Sequence, residues 1–228
     1  MMRMEQKFRH EYKHSISPVD AAVLRMRLSK VMQKDSFSVG GKYGIRSLYF
    51  DNLFDKALLE KINGVSCREK FRIRYYNGDT SFIRLEKKSK LGGFTSKQSA
   101  PLTLEQADLL ARGAAVRDSG NELIDELAFK MDTQLLKPKI IVDYTREAFV
   151  FLPGNVRVTL DCDIRTGTEP TELFDPNCVT VPSCEDIILE VKWDEFLPSV
   201  IADIIQLGSR QTSSFSKYAA CRLSYGLY

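Results

Sequence analysis

The chain has 228 residues, with 33 Lys and Arg against 30 Asp and Glu, a net charge of +3. That length suits one large domain, and the near-balanced charge excludes a generic nucleic-acid coat, so any anion affinity must come from local clustering. No run of about 18 apolar residues marks a membrane span, the polar start MMRMEQKFRH has no apolar signal core, and five scattered cysteines make neither a disulfide framework nor a zinc pattern, so a cytoplasmic, reducing setting is expected.

Lys7 to Ile16 reads as a strand. Ser17-Pro18-Val19-Asp20 predicts a helix start, with Ser17 as N-cap and Pro18 at the first helical position, and Leu24, Leu28 and Val31 continue it as an apolar stripe. The stretch from Val39 to Gly44 reads as a loop, Ile45 to Asp51 as a strand, and Leu53 to Ile62 as a short helix. Between Phe71 and Lys97 lie two β-rich runs joined by Asn77-Gly78, a strong hairpin signal. Phe94 to Ala100 continues as a strand. Thr103 with Gln106 predicts a capping box before a short helix, and Leu123 to Gln134 a longer one. Lys139 to Thr145, Ala148 to Leu152, Val156 to Ile164 and Ile187 to Trp193 read as strands, with Pro153-Gly154-Asn155 as a turn. Thr166 to Pro182 reads as a polar loop, and Ser199 to Leu207 and Phe215 to Leu223 as closing helices.

Side chains alternate faces along a strand. That puts Arg72 and Arg74 on one face of the first hairpin run, and Arg84, Glu86 and Lys88 on one face of the second. The pattern recurs with Glu11 and Lys13, with Arg146, with Arg157, Thr159 and Asp161, and with Glu190 and Lys192. Long antiparallel strands with one charged face cannot form a dry sandwich. The expected class is α+β: an antiparallel closed β-barrel of about eight strands with flanking helices and a polar lumen, in a single domain over residues 1–228. If the charged faces converge, one cavity holds these cations with Glu11, Glu86, Asp161 and Glu190 among them. Arginine forks suit phosphate oxygens. Carboxylates beside phosphate call for a bridging Mn²⁺ or Mg²⁺, with Glu86 and Glu190 as the candidate metal ligands. Such crowded cations should repel one another, so removing one should leave folding no worse. His10 and His14 point away from this face and are not expected to be catalytic.

The ordered set EYKHSI, RSLYFDN, FRIRYYNG, RLEKKSK, DYTREAF, VRVTLD, LEVKW and FSKY resembles the VTC domain of the triphosphate tunnel metalloenzyme superfamily, the CYTH-like fold. The resemblance runs over nearly the whole chain and implies a metal-dependent polyphosphate polymerase. Such an enzyme moves the γ-phosphate of ATP onto a growing polyphosphate chain inside a cationic tunnel. It implies phosphate-binding roles for Lys13, Arg72, Arg74, Lys88, Lys97, Arg146, Arg157 and Lys217, with Arg72, Arg74, Lys88 and Arg157 as the catalytic set, and a metal at Glu190. Two departures stand out: Arg9 occupies the first acidic place of the superfamily's ExExK signature, and Ser214 stands where relatives carry a second lysine. The alternatives are an inorganic triphosphatase or nucleoside triphosphatase in the same tunnel, or a non-catalytic polyphosphate or polyanion-binding module. The expected partners are ATP and polyphosphate or triphosphate, with no specific nucleic acid. The resemblance leaves room for a membrane-protein partner at the inner face of the membrane.

Overall fold

A computed structural model of the chain describes residues 10–36, 38, 40–92, 94–207 and 215–224. The expected strand positions Lys7 to Arg9, and Ser214, lie outside the described residues. In chain order the elements are β1 (His10–Ile16), α1 (Pro18–Val31), β2 (Gln33–Lys34), β3 (Lys42–Asp51), α2 (Lys56–Ile62), β4 (Arg68–Tyr76), β5 (Asp79–Leu91) and β6 (Phe94–Leu102). They continue with α3 (Leu104–Ala111), α4 (Glu122–Thr133), β7 (Lys137–Phe151), β8 (Val156–Gly167), β9 (Val181–Cys184), β10 (Ile187–Trp193), α5 (Ser199–Ile205) and α6 (Lys217–Ser224). No helix among the described residues is long and apolar enough to cross a membrane.

Local chemistry explains most of these bounds. Ser17 and Asp20 form a reciprocal capping box at the start of α1, and Thr103 and Gln106 do the same for α3. Asn77 and Gly78 both take positive φ in the β4–β5 turn, as a two-residue hairpin loop requires. The Asn77 carboxamide oxygen also accepts the Gly44 N–H at 2.8 Å. The two runs expected at Lys139 to Thr145 and Ala148 to Leu152 are one strand, β7, because Arg146 and Glu147 carry no turn chemistry and simply continue the alternation. The expected loops are shorter than foreseen. β3 starts at Lys42, inside the glycine-rich stretch, and β9 begins at Val181 within the polar loop and pairs with β8.

The hydrogen-bonded order is β1-β10-β8-β7-β3-β4-β5-β6, with β2 on β7 and β9 on β8. This path is open, with β1 and β6 at its ends, so the expected closed barrel is corrected to an open antiparallel sheet in an α+β fold. Closure would need a continuous main-chain ladder around the sheet, and Pro101 in β6 has no N–H to offer a further strand.

The chain divides into two compact units. The first comprises Met1–Tyr43, Thr145–Asp163 and Glu185–Phe215; the second comprises Gly44–Tyr144, Ile164–Cys184 and Ser216–Tyr228. In the first unit α1 lays Ala21, Leu24 and Leu28 against Phe149, Val158, Leu160, Leu189 and Val191. In the second, α3 and α4 cover Phe71, Ile73, Ile83 and Leu85 with Leu110, Leu123, Ile124 and Leu127. In both, the apolar alternate positions of each strand are spent on the helices, which leaves the charged positions on the other face.

Candidate functional site

In the second unit the charged face centres on Glu86, which is 4% exposed. Strand register sets Arg72 opposite both Glu86 and Tyr49, Arg74 opposite Ser47, and Lys88 opposite both Lys70 and Lys97. Arg72 gives Nε to Glu86 at 2.7 Å and an Nη to the Tyr49 hydroxyl at 2.9 Å. Arg74 bonds the Ser47 hydroxyl and the Tyr144 hydroxyl, each at 3.0 Å, and lies 3.9 Å from Glu86. Lys97 reaches the other carboxylate oxygen at 2.5 Å. Burial alone would push the Glu86 carboxyl up, but Arg72, Arg74 and Lys97 outweigh it and bring it down to about 2. Tyr49 behaves likewise. Its burial is overcome by Arg72, Lys70 and Arg74, which lower the phenol to about 7. One carboxylate thus faces three guanidinium or ammonium groups, with the Lys70 ammonium 5.5 Å from the Tyr49 ring centre as a further cation. The cluster carries surplus positive charge.

Helix α6 adds Lys217, whose ammonium lies 4.6 Å from the Tyr144 ring centre. The helix is fastened to the same unit by buried groups. The Tyr218 hydroxyl donates to Asp51 at 2.7 Å, and Arg222 makes a two-pronged contact with Asp55 at 2.8 Å on each arm. Asp51 also accepts the Asn52, Ala57 and Leu58 N–H groups.

In the first unit the charged face centres on Glu190, 5% exposed, and paired in register with Lys13 and with Thr159. Lys13 contacts both Glu11 and Glu190, Lys192 lies 2.9 Å from Glu190, and Arg146 reaches it at 3.3 Å while forking onto Asp161 at 2.6 and 2.7 Å. Against the upward push of burial, Lys192, Lys13 and Arg146, with a hydrogen bond to Glu11, hold the Glu190 carboxyl well below its ordinary range. Burial opposes the charge on Lys13, yet Glu190 and Glu11 raise it. Arg157 bonds Asp35 at 2.5 Å and the Tyr43 hydroxyl at 2.8 Å.

The candidate residues therefore fall into two groups. Arg72, Arg74, Lys97 and Glu86 meet directly in the second unit, Lys217 joins through Tyr144, and Lys88 shares their strand face. Lys13, Arg146 and Glu190 meet in the first unit, with Arg157 one register step away on the Lys192 partner position. Arg84 turns instead to Ser99 and the Phe82 ring. His10 stacks on Trp193 and His14 packs edge-on to Tyr12, away from the charged face.

The two carboxylates differ as metal ligands. Among the described residues no group of three or more His, Cys, Asp or Glu gathers as a ready metal cage. Mg²⁺ and Mn²⁺ need only one or two carboxylates when phosphate oxygens complete the shell. Glu190 has Glu11 within hydrogen-bonding reach and, opposite it, the buried Thr159 hydroxyl, which has no hydrogen-bond partner among the described residues. An orphaned buried oxygen beside paired carboxylates fits a site completed by a ligand. Glu86 fits less well, because the charged groups that contact it among the described residues, Arg72, Arg74 and Lys97, are all cationic.

Sequence alternation missed Ser47, Tyr49 and Tyr144, the neutral groups that aim Arg72 and Arg74, as well as Asp35 and Tyr43, which aim Arg157. Their one signal was position: Ser47 and Tyr49 sit at alternate places in RSLYFDN, as Arg72 and Arg74 do in FRIRYY.

A family model described as the VTC domain matches residues 8–225. A search of curated proteins finds no match. Among solved structures, a candidate adenylate cyclase of Bacillus halodurans aligns at 14% identity and a TM-score of 0.49, over 82% of this chain and 80% of that one. The PH1819 protein of Pyrococcus horikoshii aligns at 13% identity and 0.42, over 87% and 84%. The Mimivirus capping enzyme triphosphatase aligns at 10% identity and 0.41, over 89% and 90%.

Proposed function

The chain belongs to the VTC domain family, and from that membership we propose that it is an ATP-dependent polyphosphate polymerase. The carrying observation is the excess of fixed cations over carboxylates around Glu86, an arrangement that a chain of phosphates would neutralise. In phosphoryl transfer the protein contributes mainly positioning and charge neutralisation. Arg72 and Arg74 are aimed by Glu86, Tyr49, Ser47 and Tyr144, so their guanidinium planes are held before substrate arrives. These residues, with Lys88, Lys97 and Lys217, would bind phosphate oxygens in the second unit, as Lys13, Arg146 and Arg157 would in the first.

The reaction joins a terminal polyphosphate oxygen to Pγ of ATP and breaks the bond between Pγ and the β-bridging oxygen, releasing ADP. A divalent cation, Mn²⁺ or Mg²⁺, would be held by Glu190 and Glu11 near Thr159. Its contribution would be to neutralise charge developing on the transferred group. The acceptor oxygen is already ionised and needs no general base. Hydrolysis would need a base to activate water. Glu86 and Glu190 are both poor bases, because their carboxyls are held low, and the described histidines lie away from the clusters. This favours transfer over the triphosphatase alternative.

The test is incubation with ATP and Mn²⁺ followed by gel sizing. Long polyphosphate supports the proposal, and release of free phosphate alone assigns a triphosphatase. ATP binding without turnover, unchanged in Glu190→Ala, assigns a binding module.

A further inference from the structure

Glu147 is the neighbour of Arg146 in β7, so alternation turns it to the opposite face of the strand. It is 3% exposed. Three cations from three different elements close on it. Arg25 of α1 gives Nε at 2.6 Å, Lys34 of β2 lies at 3.4 Å and Lys42 of β3 at 3.6 Å. Burial would raise the Glu147 carboxyl, but Arg25 first, then Lys42 and Lys34, lower it. The group therefore stays ionised and cancels one of three positive charges.

The surplus is also organised. Lys34 pairs in register with Phe149, and its ammonium sits 3.9 Å from the Phe149 ring centre, which holds the head near the carboxylate. Arg25 spends only Nε on Glu147, so its two terminal amino groups have no partner among the described residues. The Arg25, Lys34 and Lys42 side chains are 33%, 40% and 54% exposed, so their outer donors face water. Three mutually repelling cations with spare donors, pinned from below by one buried carboxylate, form a shallow seat for a compact, multiply charged oxyanion.

We infer that Arg25, Lys34 and Lys42 form a second anion site that binds a phosphate-type oxyanion on the face of β7 opposite Arg146. The anion is either free phosphate or a segment of a polyphosphate chain; both present the same oxygens. The site needs no catalytic turnover and stands apart from the polymerase proposal.

The test is a titration of the ¹⁵N-labelled full chain at low salt, first with inorganic phosphate and separately with tripolyphosphate. Chloride at matched ionic strength is the control. Saturable shifts of the Lys34, Lys42 and Glu147 amides are expected. The double variant Lys34→Gln/Lys42→Gln, both exposed positions, should weaken that binding roughly tenfold while leaving ATP turnover unchanged. Glu147→Gln should tighten it, since it removes the buried carboxylate that all three cations contact. Tighter binding of tripolyphosphate than of phosphate identifies the chain as the source, and equal binding identifies free phosphate. Either supports the site. Absence of saturable shifts with both ions, or shifts of unaltered midpoint in the double variant, overturns it. A failed polymerase assay leaves these outcomes untouched.

Discussion

At the scale of single residues, the two carboxylates govern how the cations behave. The alternation of charges suggested a crowd of repelling cations from which one could be removed without harm. The structure shows each named arginine bonded to an acid or a hydroxyl, so removal leaves a buried partner exposed to imbalance. Glu86 makes this measurable. Its folded carboxyl lies near 2 against an ordinary 4.5, so its stabilising contribution is complete above about pH 4.5 and disappears as pH falls towards 2. The linkage is worth on the order of 3 kcal/mol. Glu86→Gln should lower the urea midpoint at pH 7 and flatten its decline between pH 5 and pH 2, as read by denaturation at a series of pH values. An unchanged acid slope would show that other groups carry it. Thr159 should behave in the opposite sense. Its orphaned hydroxyl costs the folded state about 1 kcal/mol or more. Thr159→Val should therefore raise the melting temperature while raising the KM for ATP. A variant no more stable than the parent, with ordinary KM, would mean that the hydroxyl is solvated and unused.

At the scale of elements, α6 illustrates how a short helix is made into a positioning device. Eight residues hold little helical stability of their own, so Tyr218 on Asp51 and Arg222 on Asp55 must fix it, with the Tyr218 ring stacked 5.1 Å from Tyr49. Tyr218→Phe removes one hydrogen bond to a buried carboxylate and should cost about 1 to 2 kcal/mol. Amide exchange across residues 217–224 should quicken, and KM for ATP should rise more than kcat falls, because Lys217 would be less firmly held. Unaltered exchange in that segment would remove Tyr218 from this role.

The same scale shows what could be read in advance. The capping boxes of α1 and α3, the Asn77-Gly78 hairpin and the charged strand faces were legible because each depends on residues close together in sequence. The continuity of β7 was less so, because Arg146 and Glu147 carry no signal other than the lack of a breaker. β2 and β9 have two and four residues, too few for a period to register. Whether the sheet closes depends on which strands meet at its ends, and no local pattern encodes that. Aiming groups such as Tyr144 and Tyr43 were invisible for a related reason. An aromatic at a strand position reads as packing, and only the tertiary partner shows that its hydroxyl holds an arginine.

At the scale of the whole molecule, each compact unit is assembled from three stretches of chain. The first needs β1 near the start, the end of β7 with most of β8, and then β10 and α5; the second is completed by α6. Contacts between such distant stretches are closed late and against a larger loss of chain entropy than local ones. During synthesis, a nascent chain that has emerged only as far as Cys184 still lacks β10, the strand that carries Glu190 and pairs with both β1 and β8. The hairpin of β4 and β5 can form early, since its ends are adjacent, but the first unit has no way to shelter the inner side of β1 until the last fifth of the chain arrives. The interleaving therefore sets a timetable: β1 waits without its β10 partner for most of translation, and the charges of Glu11 and Lys13 help to keep its open edge from sticking to other strands during that wait.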